Sequence, residues 1–218
     1  AHADPAGVEA ATRFSIERSY TSNALDRADP LPDWLNTLRG GVAVVVPHEG
    51  GRLRVGVEAE QTTHDSYAFE DDSSLRLSLS GEHAATDRLT FGADLTAATM
   101  SEGDDLEIDD LVLGIRTRTL SAAAALKAAY RLTEALTLAG ELSASRSDPR
   151  PAEFEAALVE PQQLSPRRDV LGAGLRLAHV SGATTYAVAG GAELRQVGVA
   201  GMPPYDFRLG RQFLRAEV

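Results

Sequence analysis

The 218-residue chain has no cysteine, which excludes a disulfide framework and a thiolate metal site. It has no run of roughly eighteen apolar residues, so no transmembrane helix can be placed in it. Aromatic residues make up 6% of the chain, too few for their positions alone to decide an architecture. Positive charge is in deficit: 21 Lys and Arg stand against 32 Asp and Glu, giving a net charge of -11 and a pI near 4.9. A general nucleic-acid binder needs a basic surface, so nucleic acid is not an expected partner.

Signatures of catalysis are missing too. There is no Gly-x-Ser-x-Gly elbow, phosphate-binding loop or metal-binding His pair. The histidines, His2, His48, His64, His83 and His179, do not cluster, and no calcium loop of the EF-hand type is present. The chain is therefore expected to be non-enzymatic, without metal or cofactor.

What the sequence does contain is alternation. In Arg52 to Glu60, Leu53, Val55, Val57 and Ala59 fall on one side of an extended chain, with Arg52, Arg54, Gly56, Glu58 and Glu60 on the other. A helix would scatter the same residues around its circumference. The pattern recurs along the chain. Phe14, Ile16 and Tyr20 share a side, as do Leu38, Val42, Val44 and Val46. So do Leu75, Leu77 and Leu79, then Phe91, Ala93, Leu95 and Ala97, then Leu111, Leu113 and Ile115. Later sets are Leu136, Leu138 and Leu142, Leu171, Leu175 and Leu177, Tyr186, Val188 and Leu194, and finally Leu209 and Phe213.

Leu120 to Leu132 is ambiguous, because its alanines favour helix. As a strand, its alternation has the opposite parity to Leu111, Leu113 and Ile115, which predicts a bulge near Thr117 to Thr119. Residues 1–10 read as a tail and 11–218 as a single β unit of about ten strands, roughly nine to thirteen residues each. Strands in soluble domains average about five or six residues, whereas tilted strands that cross a bilayer need about nine to eleven.

The connections alternate in length. Long or acidic segments (23–33, 61–71, 100–109, 146–168 and 199–204) take turns with short ones. A sandwich with Greek-key crossings has no reason for that regularity, while an outer-membrane barrel has short periplasmic turns and long outside loops. Phe91, Tyr130 and Tyr186 fall near the turn end, and Tyr20, Trp34, Tyr205 and Phe207 near the loop end, as two interfacial girdles would.

On these features the chain, from about Ala11 to Val218, resembles bacterial outer-membrane β-barrel proteins. Its end, Arg208-Leu209-Gly210-Arg211-Gln212-Phe213-Leu214, matches the assembly signal of such proteins through the first apolar position, and Arg215 departs at the second. The resemblance implies an antiparallel up-and-down transmembrane barrel of about ten strands, or part of a larger one, in the outer membrane. Outer-membrane lipid and the barrel-assembly machinery are the implied partners. Ala1-His2-Ala3 before Asp4-Pro5 looks like the end of a cleaved secretory signal, which fits export.

In a barrel the apolar set turns toward lipid and the charged set inward. The charged residues expected to face the lumen are Arg52, Arg54, Glu58, Glu60, Arg76, Asp94, Arg116, Arg118, Arg176, Glu193 and Arg195. They suit either a lumen filled by ion pairs or a narrow polar passage. Arg18 and Arg211 break the face rule on the first and last strands, which marks that seam as a candidate protein contact. His64-Asp65, Asp71-Asp72 and Asp104-Asp105 loosely resemble the Asp-Asp and Asp-His arrangement of omptin-type outer-membrane proteases. The leading expectation is porin-like passage of small polar solutes, or a barrel module of an envelope assembly. An omptin-like or lipid-modifying enzyme, or a soluble β-sandwich binding module, are the alternatives.

Overall fold

Alternating side chains commit each segment to an extended, half-apolar strand, and in the computed structural model those strands form one antiparallel sheet. The structure describes residues 7–24, 31–108, 111–154, 160–198 and 207–217. The strands are β1 (Glu9–Thr21), β2 (Asp33–His48), β3 (Gly51–His64), β4 (Asp72–Thr86), β5 (Leu89–Ile108), β6 (Leu111–Arg131), β7 (Leu136–Pro149), the two-residue β8 (Glu153–Phe154), β9 (Arg167–Ser181), β10 (Thr184–Gly198) and β11 (Phe207–Glu217). Each long strand pairs with the next, and β8 adds only Ile115↔Phe154 and Arg116↔Glu153, so β7 and β9 are neighbours. A seam between the last strand and the first is the expectation from the sequence. Among the described residues β1 and β11 instead form the two open edges of the sheet.

Several boundaries differ from those expected. β1 begins at Glu9, inside the stretch that reads as tail. The acidic stretch 101–108 is not loop but the continuation of β5, so β5 and β6 make a hairpin of 20- and 21-residue strands that outreaches its neighbours. Leu120 onward is strand, and the β5–β6 ladder runs from Leu89↔Tyr130 to Ile108↔Leu111 without the expected bulge. The short turns at 49–50, 87–88, 132–135 and 182–183 all fall at one end. At the first of them Gly50 has φ +80, a conformation only glycine takes without strain.

Among the described residues the sheet has no second layer and almost no core. Among the described residues the buried apolar ones are Ile115, Ala152, Ala178 and Ala187, and no large side chain is fully buried. Phe14, Ile16, Leu126, Leu142 and Leu175 are instead 60–72% exposed. Each such side chain forgoes roughly 1.5–3 kcal/mol of burial in water. A soluble sandwich would pack this face against a second sheet, and none is present among the described residues.

Register shows that the exposed apolar residues form a belt. The ladder places Leu194, Leu171, Ala144, Ala124, Leu95, Leu79, Val55, Val44 and Ala10 in one row across nine strands, all on one face. On β10 the belt ends toward the loops at Leu194, before Gln196. On β1 it continues six residues past the Ala10 row position, to Ile16. A drift of six residues over eight strand-to-strand steps, at ~3.3 Å per residue and ~4.8 Å per strand, means that the strands lean by about 25–30°. On β10 the belt runs from Tyr186 to Leu194, about 27 Å along the strand, close to the apolar band of about 25 Å that a barrel presents to lipid.

The two faces are separable by substitution. Leu142→Arg, on the belt, is expected to cost about 2–4 kcal/mol, whereas Ala125→Arg, on the opposite face beside Asp94, is expected to be near neutral. Urea unfolding in lipid vesicles measures both.

Candidate functional site

The face opposite the belt carries the charge. Arg39 sits between two carboxylates, with its Nε 3.0 Å from Glu60 Oε2 and its Nη1 3.3 Å from Glu17 Oε2. Arg52 lies 3.7 Å from Glu82 across the β3–β4 ladder. Lys127 Nζ donates to Asp94 Oδ2 at 2.7 Å, and Arg195 pairs with Glu193 on the same strand. These side chains are about half exposed, so solvent screens each pair and it adds little to stability. Their effect is on the local field.

The curvature brings part of this set together. Residues from β2 round to β11 line one cleft of about 710 Å³, into which Arg52, Arg54, Glu82, Asp94, Lys127, Glu141 and Arg176 contribute charge of both signs. Arg54 has no acid partner among the described residues. Between the charged rows runs a row of small side chains, Ala43, Gly56, Ser78, Thr96, Ala123 and Ser145, that leaves the middle of the wall open.

Of the residues expected to face the lumen, Arg52, Arg54, Glu58, Glu60, Arg76, Asp94, Arg176, Glu193 and Arg195 lie on this charged face by register. Arg116 and Arg118 do not. Without a bulge in β6 they share the face of Ala122, Ala124 and Leu126, beyond the end of the belt. Arg116 is occupied there: its Nη1 donates to the Asp71 carbonyl at 2.8 Å and its Nη2 to the Ala68 carbonyl at 3.0 Å. That clamps a 3₁₀ turn, Ala68–Glu70, onto the β5–β6 hairpin. Gly103 permits the contact, since a Cβ there would fall 1.9 Å from the Phe69 carbonyl oxygen.

The two seam arginines part company. Arg18 is on the belt face, at its loop-side rim. It donates to Asp65 at 2.6 Å, Asn36 donates to the same carboxylate at 2.8 Å, and the guanidinium lies 5.2 Å from the centre of the Trp34 ring. Tyr20 packs on Trp34 with ring centroids 5.3 Å apart, which builds the expected loop-end aromatic cluster. Arg211, by contrast, stands opposite Glu193, on the charged face. Leu209 and Phe213 go with it, so the alternation of β11 is the inverse of the one expected. The physical reason is the seat for Phe213: its ring lies over Gly191, where a Cβ would come within 2.9 Å. Gly210, Gln212 and Leu214 take the belt face instead. Tyr205 lies outside the described residues, as does the side chain of Phe207.

Sequence reasoning missed Arg39, Glu82 and Lys127, although the same parity rule reaches them once β2, β4 and β6 are accepted as strands. Asp65, Asp71 and Asp72 of the acidic loop residues are spent on structure, and the side chain of Asp105 lies outside the described residues. Asp71 accepts from the His64 amide at 2.7 Å and Asp72 from the Gly103 amide at 3.0 Å, while the His64 ring is 8% exposed. Asp33 accepts from the Trp34 amide at 2.8 Å and, through both oxygens, from the Ser66 amide at 3.2 Å. Burial pushes the Asp33 carboxyl up, but those amide bonds together outweigh it and hold the carboxyl below its ordinary value.

No protein-family model and no curated protein matches the chain. Solved structures do. The chain is similar to the copper transporter OprC, with a TM-score of 0.65 and 12% identity over 95% of this chain and 38% of that one. It is also similar to the ferric yersiniabactin uptake receptor FyuA from Yersinia pestis, with a TM-score of 0.58 and 11% identity over 96% of this chain and 38% of that one. At such identity the likeness is one of fold, and the fold resembles that of bacterial outer-membrane β-barrels. This chain spans 38% of the length of each neighbour.

The Asp33 bonds make the loop rim acid-sensitive. Because its folded value lies below the unfolded one of about 3.9, its contribution is complete above that pH and is lost as pH falls through the folded value. Asp33→Asn is expected to raise amide exchange at Ser66 at neutral pH and to remove the acid-induced part of that exchange in wild type.

Proposed function

We propose that this chain forms a wall of an outer-membrane β-barrel whose charged face lines an aqueous passage for small polar solutes. The observation that carries the reading is the division of faces. Apolar side chains of the long strands stand exposed on one side with no described layer over them, and ion pairs fill the other. Hydrocarbon is the solvent that such a belt fits. The spread of the cleft over β2 to β11, with small residues between opposed charges, supports a passage over a solid plug.

Open edges at β1 and β11 cannot face lipid, because each carries unpaired backbone groups. The proposed wall is therefore completed by further strands, as the 38% coverage of the two larger neighbours also favours. Those neighbours are described as a transporter and an uptake receptor, which favours solute movement as the task of this wall too. A non-catalytic role is supported by Asp65, Asp71 and Asp72, which are held in amide and guanidinium bonds, and by the buried ring of His64. The barrel-assembly machinery is the proposed partner in biogenesis, through β11.

Two measurements test this. The folded protein should require detergent and run faster on gels before heating than after; free solubility without detergent would end the membrane reading. In planar bilayers, discrete conductance steps are expected, and Arg54→Glu should shift their selectivity toward cations by severalfold. Absence of any conductance from folded, inserted protein would overturn the passage.

A further inference from the structure

Just beyond the belt, β6 and the end of β7 set two arginines directly opposite one another. Thr119 pairs with Pro149, and one step further the Arg150 amide donates to the Arg118 carbonyl at 2.7 Å. Both side chains are exposed, and neither has an acid partner among the described residues. Like charges directly opposite in a sheet repel unless something negative lies between them. Of the acids on this face, Glu153 stands opposite Arg116, two residues along β6, while Asp169 holds Arg146 at 2.6 Å and also takes Arg167 at 3.3 Å, and the charge of Asp148 acts on the Arg146 guanidinium. In a chain of net charge -11 the paired arginines are a local excess of cations.

A second feature lies further along the same strands, beyond the Arg146–Asp169 pair. On the same face, between β6 and β11, lies a groove of about 750 Å³. Leu126, Leu142, Leu171 and Leu194 form its sides, and small residues such as Ala144 and Ala173 deepen it. Arg118 is six residues up β6 from Ala124 in the groove, a distance of about 20 Å.

We infer that this face holds one phosphate-bearing lipid, with the headgroup phosphate bridging Arg118 and Arg150 and an acyl chain lying in the groove. Guanidinium forks match phosphate oxygens in pairs, which suits two arginines side by side. The groove supplies what a free anion cannot use, and the arginines supply what a neutral lipid cannot use. The inference rests on the membrane reading proposed above.

Native mass spectrometry of the full chain released from detergent tests it, with dioleoyl phosphatidic acid as the probe. Dioleoylglycerol lacks the phosphate and inorganic phosphate lacks the chains. One retained phosphatidic acid is expected, without retention of dioleoylglycerol or competition by equimolar inorganic phosphate. Arg118→Gln with Arg150→Gln should weaken retention by about ten- to thirtyfold, at roughly 1 kcal/mol per basic residue. Arg118→Lys with Arg150→Lys should keep most of it, and Ala144→Leu should weaken it severalfold by filling the groove. Equal retention by the double Gln variant would overturn the inference. So would equal retention of dioleoylglycerol, which means apolar contact only, or full competition by inorganic phosphate, which means an anion site without a lipid. Heat-dependent gel mobility, read on each variant, reports folding separately, and solubility without detergent would count against the membrane reading itself.

Discussion

A one-layer sheet has no interior, so its apolar side chains depend wholly on what surrounds it. In this chain that dependence sets nearly every other property. The long strands are longer than a water-facing domain needs, and in the proposed membrane setting their length is what crossing an apolar slab at a lean requires. The short turns gather at one end, which the same proposed setting would account for, since each strand would reverse as soon as it left that slab. The two free edges are the corollary: backbone groups satisfied everywhere inside the ladder are unsatisfied at β1 and β11, and a low-dielectric surround leaves them no substitute for another strand.

The charged face follows a different logic. Its ion pairs are too solvated to stabilise the fold appreciably. What they do is hold both signs of charge in fixed positions while keeping small side chains between them. Acidic residues in excess of these pairs are concentrated at the loop end, where Asp33, Asp65, Asp71 and Asp72 act as acceptors for amides and guanidinium groups. One end of the molecule is thus tied by polar bonds, and the middle is positioned by the solvent around it.

Period-two alternation is a local property, and whatever depends on it alone is legible in the order of the amino acids. Leu53, Val55 and Val57 against Arg52, Arg54 and Glu58 is one such case. Properties that depend on the neighbouring strand are not legible there. Parity within Leu111 to Leu132 changes near Thr117, and a bulge is the simplest local way to absorb the change. The ladder instead runs straight and lets Leu113 and Ile115 fall on the charged side, because that part of the hairpin lies past the belt, where Ile115 pairs with Phe154. β11 shows the same limit. Its leucine and phenylalanine look outward by composition, and the open space over Gly191 turns Phe213 the other way. Arg18 is legible as an exception but its relief is not, since Asp65 reaches it from 47 residues away.

The lean of the belt bears on how such a chain tolerates change in length. One residue inserted within a strand exchanges its two faces, and two residues keep the faces but move that strand's apolar stretch out of step with both neighbours. Neither is absorbed locally, because the central row is shared by nine strands. Extra residues fit beyond the ends of the apolar stretch: past Arg118, Arg146 or Asp169 at the loop end, and at the turn end, where the β4–β5 ladder already shifts register between Ala84 and Thr86. The overlong β5–β6 hairpin stands where length is free to vary.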